Sequence, residues 1–248
     1  MSTLLDSLAS AFDGDSARRT VLDDALATGL PTQRDEAWKY TSLRALERRS
    51  FAAVQAAPQI DAQLIAHVPS PRLVFVNGRH VEALSDLSGL AEGVSLQRLS
   101  QALADGGDAA RFLARRFERG DEVFARLNAA LASEGVLLRV ETGVQATAPL
   151  QLVFIGAPDT TDRAWHLRNL IELRANARLH VVEHHIAAGE HAHLSNALTH
   201  VHLAQGAQLV HARAQHESDK ATSLLRTDAA LARDAVYRRL DLELGAAL

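Results

Sequence analysis

The sequence predicts a mainly β protein: a right-handed parallel β-helix, or solenoid, preceded by an α-helical N-terminal domain that contains a β-hairpin. Three observations carry this reading. Apolar residues recur at helical spacing up to about residue 132, then change to period-two alternation from Gly135 onward. The second half divides into strand-length pieces separated by Gly, Asn, Asp, Pro and Ser. Finally, Ala177-Arg178-Leu179, Ala207-Gln208-Leu209 and Ala235-Val236-Tyr237 align at offsets of 30 and 28 residues, as expected when coils of two or three strands stack on one another. A sandwich or jelly roll shows similar alternation, so spacing by itself favours the solenoid only modestly.

The elements are justified in chain order. Leu4, Leu5, Leu8 and Phe12 share one helical face, and a second helix starts at Ser16, carries Val21, Leu22, Ala25 and Leu26, and stops at Gly29-Leu30-Pro31. The stretch RDEAWKYTSLRAL, beginning at Arg34, holds one of only two tryptophans and one of only two tyrosines in the chain. Thr32 and Asp35 have capping-box spacing ahead of it, which places Trp38 in an early helical turn that ends near Tyr40, with core packing as its favoured role. An aliphatic stripe of Leu43 and Leu46 comes next. In PRLVFVNGRHVEAL, Asn77-Gly78 is a strong hairpin turn signal between a strand at Leu73–Val76 and a return over His80–Leu84. Helical spacing resumes at Leu96, Leu99 and Leu103, breaks at Gly106-Gly107, and returns through Phe112, Phe117, Phe124, Leu127 and Leu131. Residues 1–132 therefore read as the helical domain, with its hairpin near 72–84, and residues 133–248 as the β-helix. The chain ends on LDLELGAAL directly after a strand, with no cap over unpaired backbone and an apolar cross-section. Either another chain covers that edge or the natural protein continues, so the β-helix is expected to be incomplete at its C-terminal end.

Composition narrows the function. With 47% hydrophobic residues in 248, the chain can build a packed core. Its 26 basic and 30 acidic residues create no broad positive field, which argues against nucleic acid or a membrane surface as partner. Neither a signal peptide nor a run of roughly 18 apolar residues is present, and a cytoplasmic protein is expected. There is no cysteine, which excludes disulfides, thiolate catalysis and Cys ligation of zinc or an iron-sulfur cluster by this chain.

Histidine is the remaining chemical resource, with twelve in the chain. His191 with His193, and His200 with His202, would share a strand face, and His184-His185 follows Glu183. Imidazoles so placed are possible zinc ligands, but no four-ligand arrangement is recognisable, and structural or surface roles are the favoured reading. P-loop, dinucleotide and H-E-x-x-H motifs are absent. Ser195 and Asn196 with distant Asp and His residues make a triad only on paper, because no strand-turn-helix nucleophile setting surrounds them. The residues thus indicate no catalytic site, no cofactor and no metal, and suit a protein that binds other proteins through strand edges.

Several segments resemble the SufB/SufD family, and its SufD-like members in particular. DEAWKYTSLRAL resembles the family's "WKYT" segment, PRLVFVNGRHVEALSDLSGLAEGVSLQRL its hairpin region, FARLNAALASEGVLLRVETGVQATAPLQLVFIG its passage into the β-helix, and NALTHVHLAQGAQLVHARAQHES its coils. The order matches over nearly the whole chain. The resemblance implies a non-catalytic subunit of the SufBCD iron-sulfur cluster assembly complex. In that reading the solenoid pairs with a SufB-type scaffold protein. A SufC-type ABC ATPase is reached only through the assembled complex or through a C-terminal helical domain that lies beyond this chain. The absence of cysteine fits the non-ligating partner, and no functional histidine of the later solenoid can be carried over. The heterologous contact is expected at Leu242, Leu244 and Leu248. A self-associating β-solenoid module and a His-dependent metalloenzyme remain the alternatives.

Overall fold

The structure, a computed structural model, describes residues 2–106 and 122–245. Helix α1 (Thr3–Ser10) starts under the Ser2 hydroxyl, which accepts from the Leu5 N–H, and buries Leu4, Leu5 and Leu8. Helix α2 (Ser16–Thr28) is capped by Asp15 and ends at Gly29, whose φ of 74° stops the helix where the sequence predicted. Asp35 reaches back to the Thr32 N–H (2.6 Å), the reciprocal half of a capping box. The box opens onto a single 3-10 turn, Glu36–Trp38, rather than a longer helix. Trp38 is half-buried and packs on Phe124, with ring centroids 5.5 Å apart, whereas Tyr40 is 90% exposed. The aromatic pair therefore splits, and only the tryptophan joins the core. A short helix, α3 (Arg44–Glu47), then places Leu43 and Leu46 in the same cluster as α1 and α2.

Four strands precede the solenoid and attach to it. β1 (Ala52–Ala53) pairs in parallel with the start of a solenoid strand at Arg163. β2 (Arg72–Val76) and β3 (Arg79–His80) form the expected hairpin across Asn77-Gly78, with Phe75 opposite His80. The return is shorter than the predicted His80–Leu84: residues Glu82–Leu84 make a 3-10 turn. The reason is a side chain, since the Val74 N–H that a longer return strand would take donates instead to Ser85 Oγ (3.0 Å). β4 (Val94–Arg98) contains Leu96, which the periodicity had placed in a helix; antiparallel pairing with the first solenoid strand overrides that pattern, and helix α4 (Leu99–Asp105) begins only at Leu99. Helix α5 (Val123–Leu131) carries Phe124 and Leu127 into the helical core. The expected helical positions Phe112 and Phe117 lie outside the described residues.

The solenoid alternates between two sheets. β5 (Val136–Val140), β7 (Arg163–Leu173), β9 (Leu194–Leu203) and β11 (Thr222–Leu231) stack in parallel in one. β6 (Leu150–Gly156), β8 (Arg178–Ala187), β10 (Gln208–His216) and β12 (Val236–Glu243) stack in the other. The chain is therefore mostly β, with about four solenoid coils preceded by N-terminal helices and strands. Arg178 pairs with Gln208 and Gln208 with Val236, which reproduces the offsets of 30 and 28 read from the sequence. The same pairing rules out a sandwich of hairpin-connected antiparallel strands. β2 adds in parallel to β6, and β4 adds antiparallel to β5, so both sheets are extended at their N-terminal side.

Both faces of the β5 sheet are covered. Its inner face packs against the opposite sheet around Trp165, Leu167, Ile171 and Val201, and its outer face carries Ala164 and Leu194 against the helices. The turn from each coil's first strand to its second repeats one device. Gly143, Asn176, Gly206 and Asp234 all have φ between 58° and 74°. Each of the first three donates its N–H to a turn carbonyl of the next coil: Gly143 to Ala175, Asn176 to Gln205, and Gly206 to Arg233. Gly, Asn and Asp are the residues that tolerate this left-handed backbone best.

Candidate functional site: a polar relay inside the later coils

Alternation along β8 points Leu179, Val181, Glu183 and His185 inward, and all four are buried. Strand register then stacks side chains from coil to coil. Leu150, Val181, His211 and Arg239 form one column; Leu152, Glu183, Arg213 and Asp241 form the next; Phe154, His185, Gln215 and Glu243 form the third. The interior thus passes from aliphatic and aromatic at the first coil to ionisable at the last.

Glu183 is the centre of the polar end. Its carboxylate meets His211 Nε2 at 3.0 Å and His185 Nε2 at 3.4 Å, and His211 is fully buried. Burial pushes the Glu183 carboxyl up, but the contacts with His185 and His211 outweigh it and hold the group well below the usual carboxylate range. On its other side, His211 Nδ1 lies 3.0 Å from the Tyr237 hydroxyl, which accepts from Arg239 Nη1 at 3.1 Å. That hydroxyl therefore bridges His211 Nδ1 and the Arg239 guanidinium. Arg239 Nη1 also donates to Thr227 Oγ1 (2.5 Å) on the opposite sheet. Hydrogen bonds therefore run across the interior from Thr227 on β11 to His211, and a close contact of His211 with the carboxylate extends this polar chain to Glu183. Such a path can hold a buried charge and orient protons; its members are connected donors and acceptors, with no nucleophile–base pair among them.

Of the other ten histidines, His166, His191, His193 and His200 are buried, four are half-buried, and His67 and His216 are exposed, so both structural and surface positions occur. The solenoid covers the inner strand faces and the helices cover the outer face of the β5 sheet, so alternation leaves few of them in solvent. His193 Nδ1 accepts from the Arg163 N–H (3.0 Å) and its Nε2 lies 2.9 Å from the Ala157 carbonyl, which fixes a neutral tautomer. His191 stacks on it at 4.6 Å, and burial, with His193 adding, pulls its pKa down to about 4. His184 Nε2 pairs with Gln151 Oε1 (2.8 Å). Among the described residues, no three or more His, Asp or Glu side chains are arranged to hold a metal ion. Ser195 donates to Ser223 Oγ (3.0 Å) rather than to an imidazole, while Asn196 turns outward to the Phe124 carbonyl and His166, so the paper triad does not assemble.

Leu242 and Leu244 are 45% and 64% exposed. Leu240 and Leu242 alternate with Tyr237, Arg239 and Asp241, and so lie on the outer side of β12. Leu248 lies outside the described residues. The β12 side of the last coil therefore turns polar groups inward and its aliphatic side chains form an outer strip, whereas β11 continues the apolar columns with Leu225, Ala229 and Leu231. One neighbouring feature was legible in principle: the 30- and 28-residue offsets carry Glu183 onto Arg213 and then Asp241, a column of alternating charge beside the relay.

Residues 154–248 match the family model described as "SUF system FeS cluster assembly, SufBD core domain", and residues 9–152 match "SufBD protein N-terminal region". The chain belongs to the SufBD family. Within it, the chain is 32% identical over 232 residues to "Iron-sulfur cluster assembly protein SufD" of Escherichia coli (strain K12), covering 92% of this chain and 52% of that relative. It is 27% identical over 232 residues to an iron-sulfur cluster assembly SufBD family protein of Synechocystis sp., covering 88% of this chain and 51% of the relative. The SufBD chain described here thus spans about half the length of these curated relatives. The resemblance carried by the WKYT, hairpin and coil segments holds across both family regions.

Proposed function

We propose that this SufBD chain is a SufD-type, non-catalytic scaffold subunit of an iron-sulfur cluster assembly complex. It works in the cytoplasm, pairing with a SufB-type protein and reaching a SufC-type ABC ATPase through the assembled complex. The observation that carries the reading is the match of both halves of the chain, in order, to the family's N-terminal and core regions. Two features support it. The chain supplies no thiolate for a cluster, which suits a partner to a ligating scaffold. Its solenoid also presents long parallel strands, a form that recruits further strands by backbone pairing. We place the partner contact along β12, where exposed Leu240, Leu242 and Leu244 border the strand.

Co-purification with the SufB-type and SufC-type proteins from the same genome tests this. The parent chain is expected to be retained with the SufB-type protein, and Leu242→Asp with Leu244→Asp to reduce retention at least about tenfold while circular dichroism stays unchanged, because each charge would be buried against the partner. Full retention of the folded double variant would remove the β12 location. No association of the parent, alone or extended at its C-terminus, would remove the SufD-type reading; a homo-oligomer in its place would favour a self-associating solenoid.

A further inference from the structure

Among the described residues, one face of the solenoid has no covering. Odd-numbered residues of β8, β10 and β12 point inward, so even-numbered residues form the outer face of that sheet. Parallel sheets are generally packed on both faces. Here helices cover the outside of the β5 sheet, and Ile65 and Val68 cover the outside of β2 and β6 around Val153 and Ile155, reaching only Ile186 of β8. Beyond Ile186 the face is open, and it is apolar. Of the eight large apolar side chains exposed among the described residues, Val210, Val236, Leu240, Leu242 and Leu244 are five. Singly scattered exposed leucines need no explanation, whereas a contiguous set on one face marks a contact surface. Register sets Val182, Ala212 and Leu240 in one row and His184, Ala214 and Leu242 in the next, so β10 is a low floor between larger side chains on β8 and β12.

The charges on this face have one sign. No Asp or Glu occupies an outward position of the three strands, whereas Arg178 and Arg238 are exposed at the N-terminal ends of β8 and β12. Neither arginine has a carboxylate partner among the described residues. Asp234, at the corner before β12, is paired with Arg233 (3.3 Å), while Asp241 and Glu243 of β12 face inward to Arg213. The loop carboxylates Glu190 and Asp219 follow the opposite, C-terminal ends of β8 and β10.

We propose that this face seats one amphipathic α-helix of the SufB-type partner, with its aliphatic stripe along β10 and Asp or Glu beside Arg178 and Arg238. The inference rests on the SufD-type reading and extends its contact from β12 across to β8. Backbone groups on a sheet face are already paired within the sheet, so the occupant must satisfy its own backbone, as a helix does. Three strands about 4.8 Å apart over about eight residues give a face of roughly 14 by 26 Å, about half of the ~800 Å² that each side of a stable interface contributes. That room fits one helix about 10 Å wide and leaves the β12 edge to provide the rest of the contact. A second copy in the same seat is disfavoured, because self-pairing would set arginines against a face without a carboxylate.

The test uses the full chain and the purified SufB-type protein from the same genome. A benzophenone side chain placed at Val210 is expected to photo-crosslink to a helical segment of the partner that carries Asp or Glu beside its aliphatic residues. Val210 is 38% exposed and shares a row with Arg238, so Val210→Asp and Val210→Lys each add one charge where the fold tolerates it. Circular dichroism checks that both variants fold. Val210→Asp should weaken association about tenfold, by repelling the partner's carboxylates and neutralising Arg238, whereas Val210→Lys should stay within about threefold of the parent. Equal weakening by the two folded variants, or a crosslink to a segment without Asp or Glu, overturns the seat and leaves the SufD-type reading in place. So does a dimer of the chain itself that Val210→Asp dissolves. No association of the parent with the SufB-type protein removes the reading and the seat together.

Discussion

Gly78 shows how one position can be held by two independent constraints. Its φ is 72°, in the left-handed region, and a Cβ there would lie 2.5 Å from the Cβ of Trp165. The neighbouring Asn77, itself at φ 45°, uses its buried amide as a backbone substitute, donating to the Ala157 carbonyl (2.9 Å) and accepting from the Ala157 N–H (2.7 Å). The hairpin tip is thereby locked to the end of β6 on one side and to Trp165 of β7 on the other. Gly78→Ala should destabilise the fold by about 2–4 kcal/mol, combining backbone strain with overpacking. Urea unfolding measures it, and a loss below about 0.5 kcal/mol, the usual scatter for surface substitutions, would show that the turn relaxes away from Trp165.

At the scale of the element, the repeated turn of the coils sets the register. Gly206 has φ 68°, and a Cβ on it would meet Asn176 Oδ1 of the preceding coil at 2.3 Å. Asp234 occupies the equivalent place one coil later at φ 58° without the glycine's freedom. The two positions therefore predict opposite outcomes. Gly206→Ala should destabilise by about 1–2 kcal/mol from the left-handed backbone alone, with more from the Asn176 contact. Asp234→Gly should be neutral or stabilise by up to about 1 kcal/mol, since it removes the same penalty. Thermal unfolding of the two variants side by side decides it: opposite signs support a strained corner ladder, whereas destabilisation by both would mean that the Asp234 side chain matters more than its backbone.

At the scale of the whole molecule, several ionisable groups are buried among the described residues, and stability should therefore depend on pH well inside the mild range. His166 and His191 have pKa values pulled down to about 3 and about 4, chiefly by burial. In the unfolded chain both would titrate near about 6.5. Between those values the unfolded chain binds more protons than the folded one, so stability is complete above about 6.5 and falls as the medium is acidified. Glu183 acts in the same direction at lower pH: its depressed folded value means that its contribution is present above about 4.3 and lost below it. Urea unfolding at intervals from about pH 7.5 to about pH 5 should show a declining free energy, to which His166 contributes a slope approaching about 1.4 kcal/mol per pH unit. His166→Phe should remove that part of the slope. An identical slope in the variant would mean that His166 is solvated and protonates freely in the folded state.

Sequence by itself determined the class of fold and the coil period. Those come from local chemistry: caps at Ser2 and Asp15, the stop at Gly29, the Asn77-Gly78 turn, and the alanines at 177, 207 and 235 that follow each corner. Tertiary structure alone decided which way each polar side chain faces and what covers it. Leu96 joined a strand because β5 offered its backbone a partner, and the return of the hairpin shortened because Ser85 took the Val74 N–H. Glu183, His211, Tyr237 and Arg239 became one relay because parallel register brought together residues up to 56 positions apart, and His166 became a buried imidazole because helices lie over the outside of β7. Period and turn chemistry act between neighbours in sequence, whereas burial and electrostatic coupling depend on which surfaces meet, and that is set only when the coils and helices have packed.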